Sequence, residues 1–140
     1  MTRLLDMGTA PFLVASTIQG VLAQRLVRRV CPSCQAQRAA TPEEQVFLGD
    51  PIVSQVVAGA GCEACHQSGY YGRIGLYELL ALSDALRHLI VAKQPASKLR
   101  EQAIRDGMKT LRDDGKRKIR EGKTTMEEVL RATPSESEAA

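Results

Sequence analysis

Cys31-Pro32-Ser33-Cys34 and, after 27 intervening residues, Cys62-Glu63-Ala64-Cys65 contain every cysteine of the chain. A Cys-x-x-Cys turn sets two thiolates on one side of a tight knuckle. Two such knuckles facing each other supply a tetrahedral set of four sulfur ligands. The gap between them exceeds the roughly 15–20 residues of the plainest ribbon, so the intervening segment is expected to form a small helical excursion. Residues 31–65 are therefore read as a lobe in which Cys31, Cys34, Cys62 and Cys65 bind one structural Zn2+. Four thiolates close the coordination shell, so the metal would fold the lobe and perform no chemistry.

Other uses of four cysteines fit less well. Two disulfides would need an oxidising compartment, and Asp6, Gln19, Gln24 and the arginines that follow spoil the N-terminal stretch as a signal peptide. A thioredoxin-like redox pair stands alone near a strand-to-helix junction, whereas here the pairs are matched. Cys62-x-x-Cys65-His66 has the form of a c-type haem attachment site, but the second pair argues against it. An iron centre uses the same four ligands, and spacing does not separate it from zinc. His66 reads as a surface residue, because the thiolates already fill the shell. His88 lies in a helical pattern at the surface or its boundary.

Upstream of the first knuckle, 2–7 reads as the tail of a helix stopped by Gly8 and Pro11. A helix entered in its middle leads us to expect a protein that continues upstream. Phe12 to Arg29 reads as a helix. Ile18, Leu22, Leu26 and Val30 recur every four residues and Val21 widens the face, while Arg25, Arg28 and Arg29 gather where the dipole favours cations. Between the knuckles, Thr41-Pro42-Glu43-Glu44 has the form of a capping box opening a helix to about Leu48. Gly49-Asp50-Pro51 breaks it, and Ile52 to Ala60 is a second short helix or an extended run.

After the second knuckle, Gln67 to Arg73 reads as a turn-rich loop and Ile74 to Leu80 as a strand. Helices follow: one capped by Ser83 to about Lys93, Lys98 to Asp106 capped by Ser97, Arg112 to Glu121, and Met126 to Ala132 with Thr125 and Glu128 as a capping box. The run 109–118 reads as mixed charges on a solvated face. The acidic residues 134–140 are expected to be disordered.

The fold class that follows is mainly α, with a small tetracysteine zinc-binding insert and one β segment. Its parts would be a helical segment over 1–30, the zinc lobe over 31–65, the strand plus C-terminal helices over 66–133, and the tail. A lone strand exposes unpaired backbone groups, so dimerisation, element swapping or partial instability is expected.

Composition narrows the function. Hydrophobic residues make up 44% and charged residues 25%, which suits one modest globular domain. Aromatic residues are 4%, leaving few rings to stack on bases or sugars, and the net charge of +3 is mild. A nucleic-acid-binding zinc ribbon could use Arg25, Arg28, Arg29 and Arg38, but phosphate-tracking surfaces show a stronger basic bias. They also rarely place carboxylates such as Glu43, Glu44 and Asp50 between their knuckles. No nucleophile–base pair or paired-carboxylate motif supports a self-contained enzyme. No run of about 18 apolar residues is present to span a membrane.

Three blocks then carry a resemblance: LLDMGTAPFLVASTIQGVLAQRLVRRVCPSC, GCEACHQSGYYGRIGLYELL and GMKTLRDDGKRKIREGKTTMEEVLRAT. In this order, over about Arg3 to Thr133, they resemble the C-terminal part of the type II secretion and type IV pilus assembly ATPases. The resemblance implies the C-terminal portion of a RecA-like P-loop ATPase domain, working as a hexameric ring in the cytoplasm at the inner membrane. Its implied partners are neighbouring subunits of the ring and inner-membrane platform proteins, without nucleic acid. The chain departs from that family in having no G-x-x-x-x-G-K-[ST] loop to wrap phosphates and hold Mg2+. ATP and Mg2+ would thus belong to a full-length parent, with this segment inactive alone. The resemblance also implies that the loop Gly69-Tyr70-Tyr71-Gly72-Arg73 lies near the nucleotide. Arg73 is thereby a candidate nucleotide-binding residue, against a plain loop role pairing with Glu78 or a helix end.

Overall fold

A computed structural model describes residues 2–133 of the protein. The elements are α1 (Thr2–Asp6), α2 (Pro11–Thr17), β1 (Gly20–Val30), β2 (Gln35–Ala39), α3 (Pro42–Leu48), β3 (Gln55–Gly59), a 3-10 turn (Glu63–Cys65), β4 (Tyr70–Ala81), α4 (Asp84–Val91), α5 (Ala96–Arg105), α6 (Leu111–Arg120) and α7 (Met126–Ala132). The architecture is mixed α/β, with β1 paired to β4 and β2 paired to β3. The expected tail over 134–140 lies outside the described residues.

Two expectations need correction here. The helix read over Phe12 to Arg29 is a short helix, α2, followed by an 11-residue strand, β1. The misreading has a geometric cause. A four-residue recurrence of Leu22, Leu26 and Val30 fits a helical turn, but four is also two pleats of a strand. Its hydrogen-bonded pairing with β4 makes it a strand, and of its residues Val27 and Val30 are 0% and 2% exposed while Leu22 and Leu26 are 60% and 49% exposed. The second correction concerns the supposed lone strand. It starts four residues earlier than expected, at Tyr70, runs to Ala81, and has β1 as its hydrogen-bonded neighbour. The fold is therefore not mainly α with one β segment.

The described chain divides into two compact units. The first comprises residues 2–23 and 78–110. Its core is Val14, Ala15, Leu82, Leu86, Ile90, Leu99 and Ala103. Ser83 caps α4 by accepting the Leu86 N–H at 3.2 Å, as its position before the apolar run implies. Ser97 does not cap α5; Pro95 holds the N-cap position with extended backbone and the helix begins one residue later.

The second unit comprises residues 24–77 and 111–133. Val27, Leu48, Val56, Leu76, Ile119 and Val129 form its core, so β1, α3, β3, β4, α6 and α7 each contribute one buried anchor. The ribbon β2–β3 is antiparallel, with Gln35 opposite Gly59 and Ala39 opposite Gln55. The turn above it is α3, opened by the expected capping box: Glu44 N–H donates to Thr41 Oγ1 at 3.2 Å and Thr41 N–H donates to Glu44 Oε2 at 2.9 Å. Glu44 is 4% exposed and also receives both guanidinium nitrogens of Arg38, at 2.7 and 2.8 Å, which lowers its pKa and fastens β2 to α3.

Candidate metal centre

The second unit brings the four cysteines together at the open end of the β2–β3 ribbon. Cys31 follows the last residue of β1 and Cys34 precedes the first of β2; Cys62 lies three residues beyond β3 and Cys65 closes the 3-10 turn. Backbone hydrogen bonds tie one knuckle to the other. Ala60 N–H donates to Cys34 O at 3.0 Å and Cys31 N–H donates to Gly69 O at 2.9 Å. Inside the second knuckle, Cys65 N–H and Gln67 N–H both donate to Cys62 O, at 3.2 and 2.9 Å.

That closeness depends on glycine. A Cβ on Gly59 would lie 2.0 Å from Gly69 O, and Gly69 itself has φ +75. The two residues touch backbone to backbone, and a side chain on Gly59 would wedge the knuckles apart. In the sequence Gly69 is read only as part of the loop 69–73, and neither glycine is given a part in the metal centre. Their only local signal is position, Gly59 three residues before Cys62 and Gly69 four after Cys65.

All four sulfurs lie within 4.8 Å of one another. Cys31 and Cys62 are separated by 3.9 Å, Cys34 and Cys65 by 3.8 Å, and Cys62 and Cys65 by 3.7 Å. A tetrahedron with zinc–sulfur bonds of about 2.3 Å has edges of about 3.8 Å. The sulfurs thus stand where the corners of a tetrathiolate site belong. All four cysteines are free. The donor set therefore fits a single tetrahedral thiophilic ion, zinc among them.

The protein backbone also prepares these sulfurs for negative charge. Cys65 Sγ accepts Cys62 N–H at 3.2 Å and Gly69 N–H at 3.3 Å. Burial pushes the Cys65 thiol up, yet these amides and the neighbouring thiols outweigh it and bring it down to about 6. At Cys34 burial dominates and, with neighbouring thiols adding to it, the group is pushed up to about 12 despite the backbone of Gly61. A cation bound among them replaces the thiol protons.

A second network braces the centre from the C-terminal side. Tyr70, directly after Gly69, donates or accepts a 2.8 Å hydrogen bond between its hydroxyl and Thr125 Oγ1, while the Arg28 guanidinium lies 4.1 Å over its ring. Arg28 holds Glu128 three times, through its backbone N–H at 2.8 Å and its guanidinium at 2.7 and 2.9 Å, and Arg131 adds a further pair. Glu128 is 0% exposed. Burial raises its pKa, but the hydrogen bonds from Arg131 and Arg28 win and lower it to about 2. Thr124 Oγ1 donates to Arg28 O at 2.8 Å, and Val30 N–H donates to Lys123 O at 3.0 Å.

Thr125 and Glu128 are thus not the capping box their spacing suggests. Thr125 sits at the N-cap without a side-chain cap bond, because Tyr70 takes its hydroxyl and Arg28 takes the carboxylate. Likewise, the mixed-charge run is only partly a solvated face. Lys118 is 7% exposed and bonds Asp114 Oδ2 at 2.6 Å, and Asp114 also accepts Tyr77 N–H at 3.0 Å.

The remaining candidates fall elsewhere. His66 is exposed in the left-handed region at φ 51 and is not among the clustered ligands. His88 is exposed on α4. Arg73 is exposed within β4 rather than in a loop. Arg28 and Arg38, two of the four arginines that could track phosphate, are committed to Glu128 and Glu44. No helix among the described residues is long and apolar enough to cross a membrane.

Comparison with known proteins agrees with the resemblance. A family model described as "Type II/IV secretion system protein" matches residues 1–131. Type II secretion system protein E of Pseudomonas aeruginosa is 47% identical over 138 residues, covering 97% of this chain and 27% of that protein. The type IV pilus assembly ATPase PilB of Thermus thermophilus is 45% identical over 137 residues, covering 95% of this chain and 15% of that protein. The type II secretion system ATPase E of Vibrio cholerae is 42% identical over 137 residues, covering 95% and 27%. The chain spans about a quarter or less of the length of these relatives.

Proposed function

The chain belongs to the family of type II/IV secretion system proteins, and from that membership we propose that it is the zinc-bearing segment of an ATPase that powers type II protein secretion or type IV pilus assembly. The parent protein would act as a hexameric ring in the cytoplasm, contacting neighbouring subunits and pressing on inner-membrane platform proteins. The chain would form the C-terminal portion of a RecA-like ATPase domain, with residues 31–65 as the zinc lobe between a segment of the core over 1–30 and a strand with C-terminal helices over 66–133. Two of the relatives are themselves named ATPases.

The observation that carries the metal part is the tetrahedral spacing of the four sulfurs, 3.7 to 3.9 Å along three of the edges. Zn2+ held by Cys31, Cys34, Cys62 and Cys65 would supply structure alone, since four thiolates leave no position for substrate or water. ATP and Mg2+ chemistry requires a phosphate loop, and residues 1–140 contain no G-x-x-x-x-G-K-[ST]. This segment by itself is therefore expected not to hydrolyse ATP. Arg73, exposed on β4, would reach nucleotide phosphate within the ring. Among the four arginines of the nucleic-acid reading, two are occupied by internal carboxylates, which weakens that reading.

A chimera tests the proposal. The corresponding quarter of the Pseudomonas aeruginosa relative would be exchanged for this chain, and secreted protein measured in the culture medium. Secretion sustained by the exchange and lost with the double substitution Cys34→Ser and Cys62→Ser is the expected result. Secretion that survives both cysteine changes would overturn the role given to the metal lobe.

A further inference from the structure

Between α3 and α7 the second unit carries an open groove of about 500 Å3, lined by Pro42, Glu43, Val46, Phe47, Met126 and Leu130. Five of these six are apolar. Val46 is 81% exposed and Leu130 43%, while Phe47 and Met126 are half-buried against the core. Apolar side chains gathered in one concavity, rather than scattered singly, mark a place where another apolar surface packs. The charges around the groove are sorted by end. Glu43, in the first turn of α3, stands on one lip. One turn further along α3, the Lys116 ammonium lies 5.4 Å and the Arg112 guanidinium 5.8 Å from the centre of the Phe47 ring. Among the described residues no carboxylate pairs with Lys116, so its charge is left for a group outside the unit.

We propose that this groove docks an amphipathic helix of a partner protein, one whose apolar stripe is flanked by acidic side chains where it meets Lys116. The walls favour a helix. Val46 stands one turn from Pro42 and Leu130 one turn from Met126, so the pits between them recur at the spacing that the ridges of a third helix fill. An extended strand gains less here, because the helices of the walls satisfy their own backbone groups and offer no ladder. A second copy of the chain, docking through the same residues, would set one concavity against another. An anionic membrane surface would meet the carboxylate of Glu43 as well as the cations. A helix with acidic residues at one end of its stripe meets both ends of the groove without like charges, and that complementarity sets its direction.

The test uses the purified 140-residue chain and two fluorescein-labelled helical peptides of about four turns. Both carry leucine at i, i+3, i+4 and i+7; one has glutamates beside this stripe and the other has lysines in the same places. Fluorescence anisotropy is read with wild type, Val46→Asp, Lys116→Glu and, as a charge control in the first unit, Lys98→Glu. A thermal melt of each variant accompanies the titrations, and the exposure of Val46 predicts an unchanged melt for Val46→Asp. Wild type and Lys98→Glu should bind the glutamate peptide about tenfold more tightly than the lysine peptide. Lys116→Glu should erase that preference, and Val46→Asp, folded as wild type, should bind neither peptide. Equal binding of both peptides by wild type, a preference that survives Lys116→Glu, or no binding at all would overturn the proposal. Analytical ultracentrifugation and sedimentation with phosphatidylglycerol vesicles supply the other arms. A dimer dissolved by Val46→Asp would give the groove to a second copy, and vesicle binding lost with Val46→Asp in a chain that ignores both peptides would give it to the membrane; either would overturn the partner helix.

Discussion

Glu128 gathers five hydrogen bonds of the second unit, three from Arg28 and two from Arg131. Its pKa of about 2 against an ordinary 4.5 fixes the sign of a pH effect. A depressed carboxylate adds stability that is complete above its unfolded pKa and is lost as pH falls through its folded one. Between about pH 4.5 and 2 the wild type should therefore lose up to about 3 kcal/mol that the Glu128→Gln variant never had. At pH 7 that variant should be less stable by about 2–3 kcal/mol, the range of hydrogen bonds to charged groups. Denaturant unfolding of both proteins across the acid range checks this, and comparing the two removes the loss of metal that acid also causes. The glycines offer a sharper contrast. Gly59→Ala puts a methyl 2.0 Å from Gly69 O and should reduce metal affinity at least tenfold in competition with a chelator. Gly49→Ala, at φ +67 with nothing within 4 Å, should cost only about 1–2 kcal/mol of backbone strain and leave metal affinity unchanged.

Elements add a test of register. In β1, Val27 is buried and Leu26 is half exposed, whereas the helical reading put Leu26 on the buried face. Val27→Ala should therefore cost about 2 kcal/mol or more, in the manner of other truncations in packed cores. Leu26→Ala should fall within about 0.5 kcal/mol of wild type. Equal costs at both positions would contradict the strand. The comparison also shows what the sequence could and could not disclose. The tetracysteine site, α3 with its capping box, the cap of α4 and the helices α6 and α7 were legible, because local chemistry fixes them. Strand β1 was not, because a four-residue recurrence satisfies two periods and its pairing partner, β4, lies 40 residues further along the chain. The bracing of α7 was hidden for a related reason: Thr125 and Glu128 have the spacing of a cap, and only the fold places Tyr70 and Arg28 within reach. The Gly59–Gly69 contact likewise joins residues whose nearness depends on both knuckles already being formed.

At the scale of the whole chain, the tetracysteine lobe is no appendage to its unit. Residues 24–77 and 111–133 make one compact body, and the cysteine knuckles sit where β1, the β2–β3 ribbon and β4 meet within it. Removing the ion should consequently unfold more than 31–65, because β1 also holds α7 and the segment before it through Glu128, Thr124 and Lys123, and β4 holds α6 through the bond from Tyr77 N–H to Asp114. Metal binding that exists only in the folded state adds its free energy to folding. The most direct test of the central claim is the zinc content of the purified chain by elemental mass spectrometry, with a thermal melt before and after chelation. The account predicts one zinc per chain and a cooperative transition that collapses when the metal is removed. A chain without bound metal, melting at the same temperature with and without chelator, would contradict it.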